Sequence, residues 1–281
     1  MVGAVLTEPC VPEADFGLFY IDSLGYQPMC GAGTLAVAKV VAETGMITIV
    51  EPSTKVVFET PAGLVTVFVE IQQGMVKFLT LENIPAFLYR RDVKLEISET
   101  GTITVDIGFG GNFFALVDVA QIGFGITVRN IQRMKDLSRK ILFAANQVIK
   151  VQHPLNPAIN YMEQLLYCQN NPEADGEYLG QCIFGDTQAD ISPCGTGTSI
   201  RLAQRYAKGL IGLNEPFVHK SIWGGAFCGT AIREEKVGEY DAVIPRVSCS
   251  DVHITGLVIW ATRRIIPYNP KVIGRLANLN T

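Results

Sequence analysis

Two cysteines stand at matching places in a phrase that the chain contains twice. Met29-Cys30-Gly31-Ala32-Gly33-Thr34 and Pro193-Cys194-Gly195-Thr196-Gly197-Thr198 share the pattern C-G-x-G-T. Each is followed by a helical run, 35–44 and 199–208, that stops at a glycine, Gly45 and Gly209, fifteen residues after its cysteine. Glycine one step past a periodic run is a left-handed helix stop, and glycines ahead of the run let backbone N–H groups converge on a ligand. Each copy therefore reads as a cysteine at the mouth of a helix. There the helix dipole and unpaired N–H groups favour thiolate over thiol and attract a carboxylate.

The elements that must hold these two mouths follow from patterning. Before the first cysteine, 2–6 and 17–21 read as strands; after the first helix come short strands at 46–50, 55–59, 63–71 and 75–81. That is a helix laid against an antiparallel meander. The pattern restarts near Glu99-Thr100-Gly101, with a hairpin of 102–107 and 112–119 around Gly108–Gly111 and a helix at about 129–148. Its apolar face is Ile131, Met134, Leu137, Ile141, Leu142 and Ala145. Strands at 164–168 and 181–185 lead to Cys194, and 216–222, 225–233, 241–247 and 253–261 follow the second helix. The second half repeats the order cysteine, helix, meander, so the fold class is α+β, two lobes of one plan, residues 1–100 and 101–261.

Composition excludes several classes. A net charge of −4 over 281 residues offers no basic footprint for nucleic acid. No apolar run is long enough to span a bilayer. Seven cysteines, an odd number in a chain too long to need a disulfide framework, read as reduced thiols of a cytosolic protein. With three histidines and no C-x-x-C pair, a metal site is not expected. Outside the two phrases, Cys10, Cys168, Cys182, Cys228 and Cys249 read as small apolar residues.

The run from Asp190 to Thr198, together with Met29–Gly33, closely resembles the paired cysteine motifs of the proline racemase family. Thr60-Pro61-Ala62-Gly63, Gly110-Gly111-Asn112-Phe113-Phe114-Ala115 and Tyr206-Ala207-Lys208-Gly209 agree with it in order. The resemblance implies a diaminopimelate-epimerase-like fold, two similar lobes, each a central helix wrapped by a mixed, mainly antiparallel sheet, with 262–281 returning to the first lobe. It also implies a homodimeric, cofactor-independent enzyme that moves the α-proton of proline or a hydroxyproline. Inverting Cα needs a base on one face and an acid on the other, which a thiol from each lobe provides. Cys30 and Cys194 are then the catalytic pair. Lowering a thiol from about 8.5 to about 7 requires roughly 2 kcal/mol, within reach of a helix N-terminus.

Substrate-binding residues follow by the same resemblance. The N–H groups of Gly31, Ala32, Gly195 and Thr196 would hold the substrate carboxylate. Asp190 matches the aspartate that contacts the substrate amine, although by residue type alone it is equally an N-terminal turn carboxylate. Val2, Met162 and Phe184 fall at the positions that touch the ring, and their apolar character points to proline before hydroxyproline. Ala32 replaces the family's usual histidine, which leaves the backbone cradle but removes a side-chain donor. Cys194, where the trans-3-hydroxyproline dehydratases usually carry threonine, points to the racemase and epimerase branch. A ligand-binding relic is the reading from a different class. Met1-Val2-Gly3-Ala4 matches an internal segment of the family, so the first lobe is expected to be N-terminally incomplete as given.

Overall fold

The computed structural model describes residues 2–170, 177–185 and 187–250. In chain order the elements are β1 (Gly3–Thr7), β2 (Phe16–Ile21), β3 (Tyr26–Gln27), α1 (Gly31–Glu43), β4 (Ser53–Thr60), β5 (Gly63–Gln72), β6 (Met75–Glu82), β7 (Ala86–Ile97), β8 (Gly101–Phe109) and β9 (Phe113–Asp118). Then come α2 (Ile131–Val148), β10 (Gln164–Asn170), β11 (Glu177–Phe184), β12 (Gln188–Ala189), α3 (Gly195–Ala207), β13 (Phe217–Lys220), β14 (Ala226–Val237) and β15 (Tyr240–Cys249).

One sheet runs β1-β2-β4-β5-β6-β15-β14-β13-β11-β10-β9-β8-β7, with β3 beside β2 and β12 beside β11. It is antiparallel except where β2 meets β4, β9 meets β10 and β11 meets β13. β15 pairs with β6 along 246–249 and with β7 along 242–243, and the second pairing closes β7–β11 and β13–β15 into a ring. The ring's inner helix is α3, which packs on β7, β8, β14 and β15; α1 packs on β1, β5 and β6. Helix α2 lies over β7, β10, β11 and β12 and buries Met134, Leu137, Ile141 and Ala145, the stripe its periodicity predicts. With helices on both sides, β9 is buried on both faces and reads as an unbroken apolar run. Strand β4, with one covered face, alternates.

The two central helices end alike. Gly45 and Gly209 take φ of 74° and 69°, the left-handed conformation glycine adopts without a Cβ penalty. In α1 the Met46 N–H reaches back to the Val41 carbonyl and that of Gly45 to Ala42; in α3 Leu210 reaches Arg205 and Gly209 reaches Tyr206. Both are Schellman stops, which satisfy carbonyls that the helix end leaves open.

Three expectations are corrected. The glycines of each motif are the first helical turn itself, because both helices begin at the residue after the cysteine. Residues 46–50 form no strand: Met46 and Ile47 donate to Val41 and Val50 donates to Thr54 Oγ1, so these N–H groups are used locally. Strand β7, which the pattern does not announce, pairs with β8 and β15. The strand expected at 253–261 lies outside the described residues. Among those described, no helix is long and apolar enough to cross a membrane.

Candidate active site

Cys30 and Cys194 are the N-caps of α1 and α3. Each sulfur accepts the N–H three residues on, Gly33 N to Cys30 Sγ at 3.4 Å and Gly197 N to Cys194 Sγ at 3.3 Å. These are the bonds a serine or aspartate cap would make, here given to a thiol. The N–H groups of Gly31, Ala32, Gly195 and Thr196 belong to the first turns and have no intrahelical acceptor. They are the donors available to an anion.

The two helix mouths meet backbone to backbone. A Cβ placed on Gly31 would stand 2.8 Å from the Gly195 Cα, and one on Gly195 would stand 2.8 Å from the Gly31 Cα. Only glycine at both positions allows this approach, and each of the two glycines directly follows a capping cysteine. Gly110, at the tip of the β8–β9 hairpin, is under the same constraint against the Thr196 carbonyl, at 2.5 Å. The hairpin reading of this glycine cluster holds, and its glycines serve the close approach to α3.

A second matched set supports the caps from behind. Thr34 Oγ1 donates to the Cys30 carbonyl at 2.8 Å, and Thr198 Oγ1 donates to that of Cys194 at 2.8 Å. Each threonine has one further matched partner: Tyr20 OH stands 2.6 Å from Thr34 Oγ1, and His219 Nδ1 stands 2.8 Å from Thr198 Oγ1. Burial holds His219 far below the ordinary histidine range, at about 3, so its ring is neutral. Gly180 makes room for it, since a Cβ there would lie 2.0 Å from Nε2. Neither Tyr20 nor His219 is legible as a site residue in sequence, although Thr34 and Thr198 at equal offsets mark where such partners must stand. Cys194 itself is held at φ 67°, ψ 107°, unusual for a residue with a Cβ and a form of strain that clusters at functional sites.

Burial pushes Cys30 up to about 12, against the opposing pull of the Gly33 N–H, with the charges of Asp190 and Cys194 adding to the rise. The expectation that the helix mouth lowers this thiol is therefore corrected: desolvation outweighs the dipole. Asp190 is raised by burial and pulled back by Ser192 N–H at 2.8 Å, Ser192 Oγ at 2.9 Å and the Cys194 thiol. Cys182, fully buried on β11, is hydrogen-bonded to Cys194, and that bond together with burial keeps it protonated. The ligand atoms of Cys182, Asp190 and Cys194 all lie within 4.8 Å of one another. No disulfide joins any of the seven cysteines.

Of the remaining expected residues, Thr196 Oγ1 lies 3.6 Å from Cys194 Sγ. Phe184 shares an apolar cluster with Cys194 and Cys182, and Val2 packs against that cluster. Val2 also packs on the main core, which contains the buried Met162. A cavity of about 570 Å³ between Thr60, Pro61, Ile84, His153 and Leu155 stands apart from both cysteines.

Two cysteines cap abutting helices of an α+β scaffold. The family model described as proline racemase matches residues 1–265. A proline racemase of Clostridioides difficile is 40% identical over 256 residues, 91% of this chain and 76% of the relative. A 4-hydroxyproline 2-epimerase of Streptosporangium roseum is 36% identical over 248 residues, covering 88% of this chain and 74% of the relative. Among solved structures, a hydroxyproline epimerase from Agrobacterium vitis with bound trans-4-hydroxy-L-proline superposes with a TM-score of 0.84 at 30% identity, over 87% of this chain and 71% of that one. The chain belongs to the proline racemase family, has its diaminopimelate-epimerase-like fold, and is an isomerase of the racemase and epimerase type.

Proposed function

We propose that the chain interconverts L- and D-proline without a cofactor, Cys30 and Cys194 moving the α-proton between opposite faces of Cα. The observation that supports this reading is the close approach of Gly31 and Gly195, each the residue after a capping cysteine. The proline carboxylate sits on the N–H groups of Gly31, Ala32, Gly195 and Thr196. As the α-proton leaves, negative charge grows on that carboxylate, and each well-aimed donor contributes about 2.7 to 4 kcal/mol. Asp190 takes the ring ammonium. Cys30, raised to about 12, is the thiol that supplies a proton in the resting enzyme, and Cys194 is the opposing base.

The balance of the two protein forms alternates with each turnover. A proton taken by Cys194 leaves Cys30 deprotonated on the far side, ready for the opposite enantiomer. Proline is favoured over hydroxyproline because Val2, Met162 and Phe184 are apolar and give a ring hydroxyl no partner. The same reading makes the enzyme a cytosolic homodimer, in keeping with seven cysteines outside any disulfide, and sedimentation equilibrium tests the dimer.

The test is α-proton exchange in deuterated water, followed by NMR, with L-proline, D-proline, trans-4-hydroxy-L-proline and trans-3-hydroxy-L-proline. Both prolines should exchange fastest. A higher kcat/KM for trans-4-hydroxy-L-proline would reassign the chain as a hydroxyproline epimerase, and loss of water from the 3-hydroxy compound as a dehydratase.

A further inference from the structure

Cys182 has no part in the proton transfer, yet its sulfur lies beside that of Cys194. Strand β11 turns back through β12, where Ile183 pairs with Ala189 and the Asp190 N–H bonds the Cys182 carbonyl at 3.0 Å. That return brings 182, 190 and 194 to one point, although their spacing matches no metal motif. Two sulfurs and one carboxylate oxygen then lie within 4.8 Å of one another. Both Ser192 bonds to Asp190 fall on Oδ1.

The separations decide which chemistry this cluster suits. Zinc–sulfur bonds of about 2.3 Å and zinc–oxygen bonds of about 2.0 Å at a tetrahedral centre require ligand atoms roughly 3.5 to 3.8 Å apart. The three atoms need to close by about 1.3 Å at most to reach this. A disulfide between the two sulfurs, at about 2.05 Å, would demand far more movement. Two thiolates and one carboxylate select a thiophilic, borderline-soft cation over magnesium or calcium.

We propose that Cys182, Asp190 and Cys194 form a binding site for a thiophilic divalent cation of the zinc class, three protein ligands with the fourth position open. Occupancy takes the Cys182 and Cys194 sulfurs into metal bonds as thiolates, with release of the Cys182 thiol proton to solvent. The cation is therefore a reversible inhibitor, competitive with the amino-acid substrate. The inhibition rests on Cys194 acting as a base; the binding does not.

The experiment uses the full chain with Cys10→Ser and Cys228→Ser, which removes the two exposed thiols, under a phosphine reductant. Titration with Co²⁺ should raise a thiolate-to-cobalt charge-transfer band in the near ultraviolet, saturating at one equivalent and abolished by one equivalent of Zn²⁺. Cys182→Ala should weaken Co²⁺ by about 100-fold or more, beyond the loss that follows removal of an outer partner. Cys168→Ala, another buried thiol, should leave the titration unchanged. No band in the parent, or a band of equal affinity in Cys182→Ala, would overturn the site. If Cys182→Ala fails to fold, zinc-edge X-ray absorption of the parent replaces it: two sulfur ligands support the site, and one or none rejects it. A normal cobalt spectrum without inhibition by Zn²⁺ would leave the site standing and count against Cys194 as the base.

Discussion

Gly31→Ala tests the helix junction with a single methyl group. Its Cβ would stand 2.8 Å from the Gly195 Cα and 3.2 Å from the Gly195 carbonyl carbon, where ordinary contact begins at 3.4 Å. Both obstacles are backbone, so no side chain can swing aside and α1 and α3 must part by at least about 0.6 Å. Overpacking of this kind costs about 1 to 3 kcal/mol, which lowers Tm by several degrees in a chain of this size. The thiols ride on the residues just before the junction, so the same displacement widens the gap between them. Misplacement of the order of 1 Å can cost about 100-fold in rate, and we expect kcat for proline to fall about 10- to 100-fold. Gly195→Ala should do the same. Gly212→Ala is the control, since its Cβ meets only Glu215 Oε2 at 3.5 Å. Proton exchange and calorimetry on the three variants decide the matter. A Gly31→Ala enzyme with wild-type rate and Tm would refute the junction argument.

Other expectations follow from the same geometry. His219 is neutral when folded and titrates at about 3, against 6.5 when unfolded. The unfolded chain therefore binds the extra proton between these values, and stability present above pH 6.5 is lost on acidification by about 1.4 kcal/mol per pH unit. His219→Gln should flatten that part of the acid limb in urea titrations, and an unchanged slope would remove His219 as the cause. In Cys194→Ser, alkylation of Cys30 by iodoacetamide, read by peptide mass, should climb about tenfold per pH unit from pH 7 to pH 10; a plateau near pH 9 would contradict the raised thiol. Against trans-4-hydroxy-L-proline, L-proline should hold an advantage in kcat/KM of about 100-fold or less, because an apolar wall rejects a hydroxyl weakly.

Local chemistry made much of this protein readable. The doubled phrase, the glycine stops and the stripe on α2 are short-range features, and each reappears in the structure. Strand β7 escaped because two register shifts, between Leu88 and Arg90 and between Arg90 and Val93, break its alternation, with Asp92 at φ 52° inside it. Residues 46–50 mimic a strand by composition, but their donors are taken by the end of α1 and by Thr54. Tyr20, His219 and Cys182 reach the site only through sheet pairing, so no spacing along the chain could announce them. The rise of Cys30 was hidden for a related reason: burial is a property of the packed lobes, and the helix mouth alone argues the other way.

The central claim, one thiol on each face, is tested most directly by the isotopic fate of the α-hydrogen. L-Proline is incubated in deuterated water, quenched at low conversion, and the enantiomers are separated for mass analysis. Two bases exchange their thiol protons with solvent, so the D-proline formed should carry α-deuterium while the remaining L-proline keeps its α-protium; Cys30→Ser and Cys194→Ser should each abolish the conversion. D-Proline that retains the α-protium of its parent, or a Cys194→Ser enzyme that racemises at near wild-type rate, would contradict the account.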